Sequence, residues 1–174
     1  MMKKGGIGGG KTVTGLVFEK RISIEKAISK LPGYNVKNDA IVFKDKIVAK
    51  FFPKNKLYKK LLESQGVDYR TILSKKLLPD DAVHIIKDKT LFIVEIKFQE
   101  VYGSVDEKLQ TCDFKNKQYK KLLAPLRMEV KYVYVLNDWF KAHKYRDVLD
   151  YIQSVGCFYF FNELPLDFLG LPVR

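Results

Sequence analysis

Residues 91–98 constrain the fold of this chain more than any other segment. Their sequence, LFIVEIKF, is rich in β-branched and aromatic residues and apolar enough to be buried on both faces. Such a strand is typical of the interior of a sheet. Glu95 and Lys97 interrupt it two residues apart, so their side chains share one face. Charges in a buried strand need partners, so we expect these two to have a specific role.

The remaining strands are short apolar segments bounded by turn residues. Lys44-Asp45 is expected to join two of them in a hairpin, and Lys87-Asp88-Lys89 two others. The predicted strands are residues 40–43, 46–52, 81–86, 90–98, 130–136 and 157–161.

Helical periodicity and end signals predict four main helices. Ser104 and Glu107 form a capping box that opens one of them, and Gly66 and Gly156 follow the ends of two others. The predicted helices cover about residues 12–30, 54–65, 104–123 and 147–155. The element order α-β-β-β-α-β-α-β predicts one α/β domain in which helices flank a mixed sheet.

Lysine makes the chain strongly basic. The 174 residues include 32 Lys and Arg against 20 Asp and Glu, a formal charge of +12. A polyanion, first of all nucleic acid, is one explanation, and a solvated lysine-rich surface is the other.

The sequence indicates a cytoplasmic protein without membrane contact. Its start, MMKKGGIGGG, lacks the apolar core of a signal peptide, and no apolar run approaches the ~18 residues that span a bilayer. Two cysteines are too few for a disulfide framework. Cys112, Cys157, His84 and His143 lack the short paired spacing of a zinc site, so we expect buried, reduced thiols.

Residues 5–12, GGIGGGKT, satisfy the phosphate-loop pattern literally. That loop normally joins a buried strand to a helix, and only MMKK precedes it here. Three interpretations stay open. Lys11 and Thr12 could bind a nucleotide, residues 1–13 could be a flexible tip in front of a single domain at 14–174, or Lys11 in that tip could contact a DNA phosphate.

The most informative pattern joins Asp80, which follows Pro79, to Glu95 and Lys97. A hairpin can place Asp80 beside the face that carries the other two side chains. Two converging carboxylates bind a hard divalent cation, and waters and a phosphate complete its coordination. The alternative is an exposed hairpin with ordinary charges, which the apolar strand disfavours.

At these residues the sequence resembles the PD-(D/E)xK nuclease superfamily, and most closely its type II restriction endonuclease branch. The resemblance covers TVTGLVFE at 12–19, KLLPDDA at 76–82, EIKFQEVYGSVDEKLQT at 95–111 and KYVYVLNDWF at 131–140. It implies a restriction endonuclease-like core with the order α-β-β-β-α-β.

The resemblance also implies Mg²⁺-dependent hydrolysis of DNA. Asp80 and Glu95 would hold one or two ions with the backbone carbonyl of Ile96. Lys97 would orient or help deprotonate the attacking water and stabilise the charge of the transition state.

Three other residues are possible accessories to this site. Glu19 is either a further acidic group or an exposed helix carboxylate. Asp81 is an alternative metal ligand, although it points to the other face if the strand already begins there. Gln99 shares the face of Glu95 and Lys97 and could touch the site or a DNA phosphate.

Contacts to DNA are expected from basic side chains around the site. Those singled out are Lys11, Lys75, Lys76, Lys108 and Lys115, and the eligible base readers are Gln110, Asn116 and Gln118. For each lysine the alternative is a solvated surface. Tyr102 either stacks on DNA or packs against the protein.

Together these features predict a homodimeric type II restriction endonuclease that cuts a short duplex site, with a possible cognate methyltransferase for the same site. The alternatives are a repair or junction nuclease of the same superfamily, a nucleotide-binding protein that uses residues 5–12, and a DNA-binding module without turnover.

Overall fold

The computed structural model describes residues 15–18 and 22–173 of the chain. Nine strands lie in this part of the sequence. They are β1 (Gly15–Val17), β2 (Tyr34–Lys37), β3 (Ala40–Phe43), β4 (Lys46–Phe51), β5 (Asp81–Ile85), β6 (Thr90–Lys97), β7 (Glu129–Leu136), β8 (Phe158–Phe161) and β9 (Glu163–Pro165). The predicted strands are all present to within one residue, and β1, β2 and β9 are additional.

The α-helices of the described residues are mostly short. They are α1 (Ile24–Ile28), α2 (Val105–Leu109), α3 (Cys112–Leu123), α4 (Arg146–Ser154) and α5 (Leu166–Leu169). In addition, 3₁₀ turns lie at Tyr69–Thr71, Ala124–Leu126, Asp138–Lys141 and His143–Tyr145. A π-helical segment at Leu57–Leu62 continues into a 3₁₀ turn at Glu63–Gln65, which Gly66 ends in the left-handed conformation. In the part of the chain that is described, no helix is both long and apolar enough to cross a membrane.

Strands β2 to β8 form one sheet in sequential order within the described residues. Neighbours from β2 to β6 run antiparallel, whereas β6, β7 and β8 run parallel. The predicted mixed sheet flanked by helices is therefore confirmed. Strand β6 lies between β5 and β7, which is the interior position that its apolar sequence predicts.

Two apolar cores cover the two faces of this sheet. One contains Leu91 and Ile93 of β6 and packs against α3, α4 and the π-helical segment. The other contains Phe92 and Val94 and packs against α1, α5 and the small antiparallel sheet of β1 and β9. Because both faces of β6 are covered, each charge on it lies in a dehydrated environment.

Two tight turns fix the register of the first three sheet strands. Asn38 and Asp39 connect β2 to β3, and Lys44 and Asp45 connect β3 to β4, each with positive φ. Two consecutive residues of positive φ match the right-handed twist of a hairpin. The hairpin predicted around Lys44-Asp45 is confirmed.

The helix predicted over residues 12–30 is wrong in its first half. Residues 15–17 form β1, which pairs with β9 from the far end of the chain. The helix begins only at Ile24, after Ser23, whose hydroxyl accepts a hydrogen bond from the backbone NH of Lys26 at 3.2 Å. Local periodicity missed the strand because its partner is so distant in sequence. The glycine-rich residues 1–13 lie outside the described residues.

The helix predicted over residues 104–123 is divided into α2 and α3, and Ser104 makes no capping bond through its side chain. Thr111 donates its hydroxyl to the carbonyl of Lys108 at 2.7 Å, and the Tyr134 hydroxyl reaches the same carbonyl at 3.3 Å. These hydroxyls bind a carbonyl that a continuous helix would use, so the chain is interrupted here.

Tyr58 connects the π-helical segment to the chain that leads into β5. Its buried hydroxyl donates to the carbonyl of Leu77 at 2.9 Å and accepts from the NH of the same residue at 2.8 Å. The segment before Asp80 is thus held in place by two hydrogen bonds from one side chain.

We predict that Tyr58→Phe lowers the free energy of unfolding by roughly 1–3 kcal/mol, because it leaves the NH and carbonyl of Leu77 without their partner. Urea denaturation measures the change. Tyr102→Phe is the control, since this residue is 82% exposed. Equal stability of both variants would contradict the role assigned to Tyr58.

Candidate functional site

The register of the β5–β6 hairpin places Asp80 beside Glu95. Asp81 is opposite Val94 in this antiparallel pair, so the preceding residue lies next to the following one on the partner strand. Side chains alternate between faces along a strand. Asp80 therefore approaches the same face of the sheet as Glu95 and Lys97, as the sequence predicts.

Lys97 lies between the two carboxylates. Its Nζ is 2.6 Å from Oε2 of Glu95 and 3.0 Å from Oδ2 of Asp80. The Glu95 residue is only 5% exposed, whereas the Asp80 side chain is 30% exposed. The site is thus buried at Glu95 and open towards solvent at Asp80. We call these three residues the charged triad.

Electrostatics keeps the lysine of the triad protonated. Burial alone would lower the pKa of Lys97, but the negative charges of Glu95 and Asp80 outweigh it and raise this pKa above its usual value. Burial also raises the pKa of Tyr119 and Tyr132 nearby, and the charge of Glu95 adds to the effect. The tyrosines near Glu95 are therefore neutral hydroxyls at physiological pH.

The backbone around Asp80 is anchored on both sides. The NH of Lys54 donates to the carbonyl of Pro79 at 3.0 Å, and the NH of Phe52 donates to Ala82 at 2.7 Å. Together with the Tyr58 hydrogen bonds, these contacts fix where β5 begins. The position of the Asp80 carboxylate is thereby set by strand pairing.

A pocket of about 210 Å³ opens beside the triad. Its lining consists of Ile22, Ser23, Lys54, Asp80, Asp81 and Ile96. Of the triad, Asp80 alone lines this pocket, and Ile96 borders the same space.

Asp81 faces away from the triad. Its side chain is 5% exposed and accepts a hydrogen bond from the NH of Ile24, at the start of α1, at 3.1 Å. Burial raises the pKa of Asp81 to about 6 despite this hydrogen bond. Of the two open assignments, the structure favours a role for Asp81 in holding α1 against the sheet.

The donor set of the triad fits a hard divalent cation. Asp80 and Glu95 already converge on one cationic atom, the Nζ of Lys97. Among residues 15–18 and 22–173, no group of three or more His, Cys, Asp or Glu side chains is arranged to hold a metal. Two carboxylates suffice for Mg²⁺, which keeps several waters and binds substrate phosphate oxygens.

Two accessory candidates remain, Glu19 and Gln99. Glu19 lies outside the described residues. Gln99 is buried just beyond β6, and its side-chain amide donates to the carbonyl of Val101 at 2.7 Å. That contact turns the Gln99 amide towards its own loop, so a DNA phosphate contact is not favoured.

The basic residues predicted to contact DNA occupy different environments. Lys75 and Lys108 are exposed, and Lys115 is half-buried on α3. Lys76 lies over the rings of Tyr58 and Tyr69, at 4.9 and 5.0 Å from their centroids. Lys11 lies outside the described residues.

The three residues that are eligible to read bases also lie in different environments. Gln110 is exposed and Gln118 is half-buried, whereas Asn116 is buried and turned towards the core. Burial makes Asn116 unsuitable for reading a base edge.

The four zinc candidates of the sequence do not form a site. Cys112 and Cys157 are free and buried in the same core. His84 is half-buried on β5, where burial lowers its pKa, and His143 is exposed. The expected buried thiols are confirmed.

Sequence reasoning singled out Tyr102 but did not place it together with Asn137 and Trp139, at the same edge of the sheet as the triad. Asn137 follows β7 and exchanges two hydrogen bonds with the backbone of Gln99, at 3.2 and 2.8 Å. Tyr102 is 82% exposed, and its ring meets the ring of Trp139 edge to face. The available signal was the parallel pairing of β6 and β7, because residues after two parallel neighbours meet at one edge.

Comparison with known proteins adds no relative, since no family model, curated protein or solved structure matches this chain. The function must therefore be argued from the site itself.

We predict that Asp81→Asn stabilises the protein at pH 8 by roughly 1–2 kcal/mol. The folded-state pKa of about 6 exceeds the usual 3.8, so folding favours the protonated carboxyl and stability falls as pH rises through this interval. An amide oxygen at this position still accepts from Ile24. Urea denaturation in EDTA at pH 4 and pH 8 should show the gain at the higher pH only. A gain in stability of equal size at pH 4 and pH 8 would contradict the raised pKa of Asp81.

Proposed function

We propose that this protein is a magnesium-dependent DNA endonuclease of the PD-(D/E)xK superfamily with a restriction endonuclease-like fold. The observation that carries the proposal is the convergence of Asp80 and Glu95 on Lys97 at the open end of the β5–β6 hairpin. The formal charge of +12 supports a polyanionic substrate.

The arrangement of elements around the triad supports the same proposal. The β5–β6 hairpin is followed by α2 and α3, and the chain returns as β7 parallel to β6. This is the β-β-α-β part of the order that the resemblance leads us to expect. The triad belongs to that part, with Asp80 immediately before β5 and the other two residues on β6.

The residues divide the chemistry by type. In the proposal, Asp80, Glu95 and the carbonyl of Ile96 would hold Mg²⁺, which would supply Lewis acidity and lower the pKa of bound water. Lys97 is an ammonium with three donors and no acceptor, so it orients the attacking water and stabilises charge on the phosphate oxygens. The buried Glu95 keeps this ammonium in place through its contact of 2.6 Å.

The mode of action that we propose is that of a homodimeric type II restriction enzyme. One triad cuts one strand, so two copies related by a two-fold axis would cut both strands of a short palindromic site. Exposed Lys75, which precedes β5, and exposed Lys108, on α2, would contact DNA phosphates. A methyltransferase of the same specificity would protect the host DNA.

A repair or junction nuclease of the same superfamily is the second candidate. It would use the same triad on a different form of DNA. The exposed Tyr102 favours it, because an aromatic ring on the surface can stack on an unpaired base. The nucleotide-binding interpretation rests on residues 5–12, outside the described part of the chain, and nucleotide-dependent thermal stabilisation that Lys11→Ala abolishes would support it.

Our third prediction concerns cleavage. The purified protein with Mg²⁺ should convert plasmid DNA to discrete fragments, and EDTA should abolish the activity. Asp80→Asn, Glu95→Gln and Lys97→Met should each reduce the rate at least about a hundredfold, because each removes a group that binds the metal or stabilises the transition state.

The control for cleavage is Asp39→Asn. Asp39 also pairs with two lysines, Lys56 at 2.5 Å and Lys60 at 2.7 Å, but it lies in the turn between β2 and β3. This variant should retain full activity. No cleavage of varied DNA by the wild-type protein, or equal rates for the triad variants and the control, would refute the proposal. A smear in place of discrete bands would favour the repair or junction nuclease.

Our fourth prediction tests the metal site without DNA. Lys97→Met removes the cation between Glu95 and Asp80, so the free energy of unfolding in EDTA should fall by roughly 2–3 kcal/mol. Mg²⁺ should restore more stability to this variant than it adds to the wild type, since it no longer competes with the ammonium. Urea denaturation with and without about 10 mM Mg²⁺ measures the loss of stability in EDTA and the gain on adding metal. An equal or smaller magnesium effect in the variant would argue against metal at this pair.

A further inference from the structure

An aromatic cluster lies at the sheet edge that carries the charged triad. It consists of Tyr102, Trp139 and Tyr145, with the ammonium of Lys144 among them. The Lys144 Nζ is 4.1 Å from the ring centroid of Tyr102, 4.7 Å from that of Tyr145 and 5.7 Å from that of Trp139. The rings of Tyr102 and Trp139 meet edge to face at 5.4 Å.

The position of this aromatic cluster follows from the parallel pairing of β6 and β7. Tyr102 lies in the connection that leaves β6 after Lys97, and the other members follow the end of β7. The hydrogen bonds between Asn137 and the Gln99 backbone join the two connections. The aromatic cluster is therefore tied to the end of the strand that carries Glu95 and Lys97.

The inner part of the aromatic cluster is structural, but its outer part is not. Tyr145 is buried, and its hydroxyl accepts a hydrogen bond from Nε1 of Trp139 at 2.6 Å. Tyr102, in contrast, is 82% exposed, and the neighbouring Val101 is 75% exposed. A tyrosine with so little buried area contributes little to folding. The ammonium of Lys144 lies over one face of its ring, and the residue remains largely open to solvent, so a second molecule can contact the ring.

We propose that this aromatic cluster binds a strand of DNA beside the cut site, with an unpaired base stacked on Tyr102 and a neighbouring phosphate on Lys144. Every base has an aromatic face, so stacking on a protein ring does not depend on sequence. Within a duplex those faces are covered by neighbouring bases, so the stacked base must be unpaired, terminal or flipped out. This inference rests on the proposed function in one respect only, because it takes DNA as the molecule that the aromatic cluster binds.

Trp139 makes the aromatic cluster directly observable, because it is the only tryptophan of the chain. The probes are a single-stranded oligonucleotide, the same sequence as an intact duplex, a duplex with a central mismatch, and a mononucleotide. Titrations are made in EDTA, so that binding is measured without cleavage. Quenching of Trp139 fluorescence should be strongest with the single strand, intermediate with the mismatched duplex, and weak with the intact duplex and the mononucleotide.

Substitutions separate stacking from charge. Tyr102→Ala should weaken binding of the single strand about tenfold, whereas Tyr102→Phe keeps the ring and should bind as the wild type does. Lys144→Gln should reduce the slope of log affinity against log salt by about 0.7, the value for one phosphate contact on a single strand. The control is Lys44→Gln, since Lys44 also lies over a ring, that of Phe43 at 5.3 Å, but in the β3–β4 turn.

The results distinguish this inference from the proposed function. Unchanged affinity and quenching in Tyr102→Ala, or no binding by the wild type at low salt, would overturn the inference even if the protein cleaves plasmid DNA. Equal quenching by an intact duplex or by the mononucleotide would also overturn it. Binding that depends on Tyr102 in a protein that never cuts DNA would uphold the inference and refute the endonuclease.

Discussion

The ion pair between Glu95 and Lys97 is the interaction on which the candidate site depends. A carboxylate as buried as Glu95 is costly without a partner, and removing one member of such a pair leaves the other charge uncompensated. Strand β6 can therefore carry charges in the centre of the sheet only because the two side chains neutralise each other and Asp80 joins them at 3.0 Å. The apolar neighbours strengthen the pair, since charges interact more strongly where water is excluded.

The net charge of the triad determines whether its pocket attracts or repels a phosphate. Two carboxylates and one ammonium leave one net negative charge, which by itself would repel a phosphate. A divalent cation at the carboxylates would reverse that sign and make the same pocket attractive to a phosphodiester. In the proposed function the metal is therefore needed for substrate binding as well as for chemistry, while the lysines of the surface bring DNA towards the pocket.

The parts of the molecule that were predictable from sequence are those fixed by short-range pattern. Glu95 and Lys97 had to share a face because they are two residues apart, and a tight hairpin brought Asp80 to them. Strand β1 was not predictable, because its partner β9 lies at the other end of the chain. The division between α2 and α3 involves the hydroxyl of Thr111 and also that of Tyr134, which only the folded sheet brings to that helix. Local signals failed wherever a distant residue decided the conformation.

The same reasoning explains why the aromatic cluster was harder to foresee than the triad. Tyr102 and Trp139 are far apart in sequence, and nothing in either segment indicates that their rings touch at 5.4 Å. Parallel pairing of β6 and β7 brings them together, because it sends both connections out at one edge of the sheet. The antiparallel β5 begins at that edge, which is why Asp80 is also there. One topological fact, a sheet that changes from antiparallel to parallel at β6, thus places a pair of carboxylates and an exposed aromatic surface side by side.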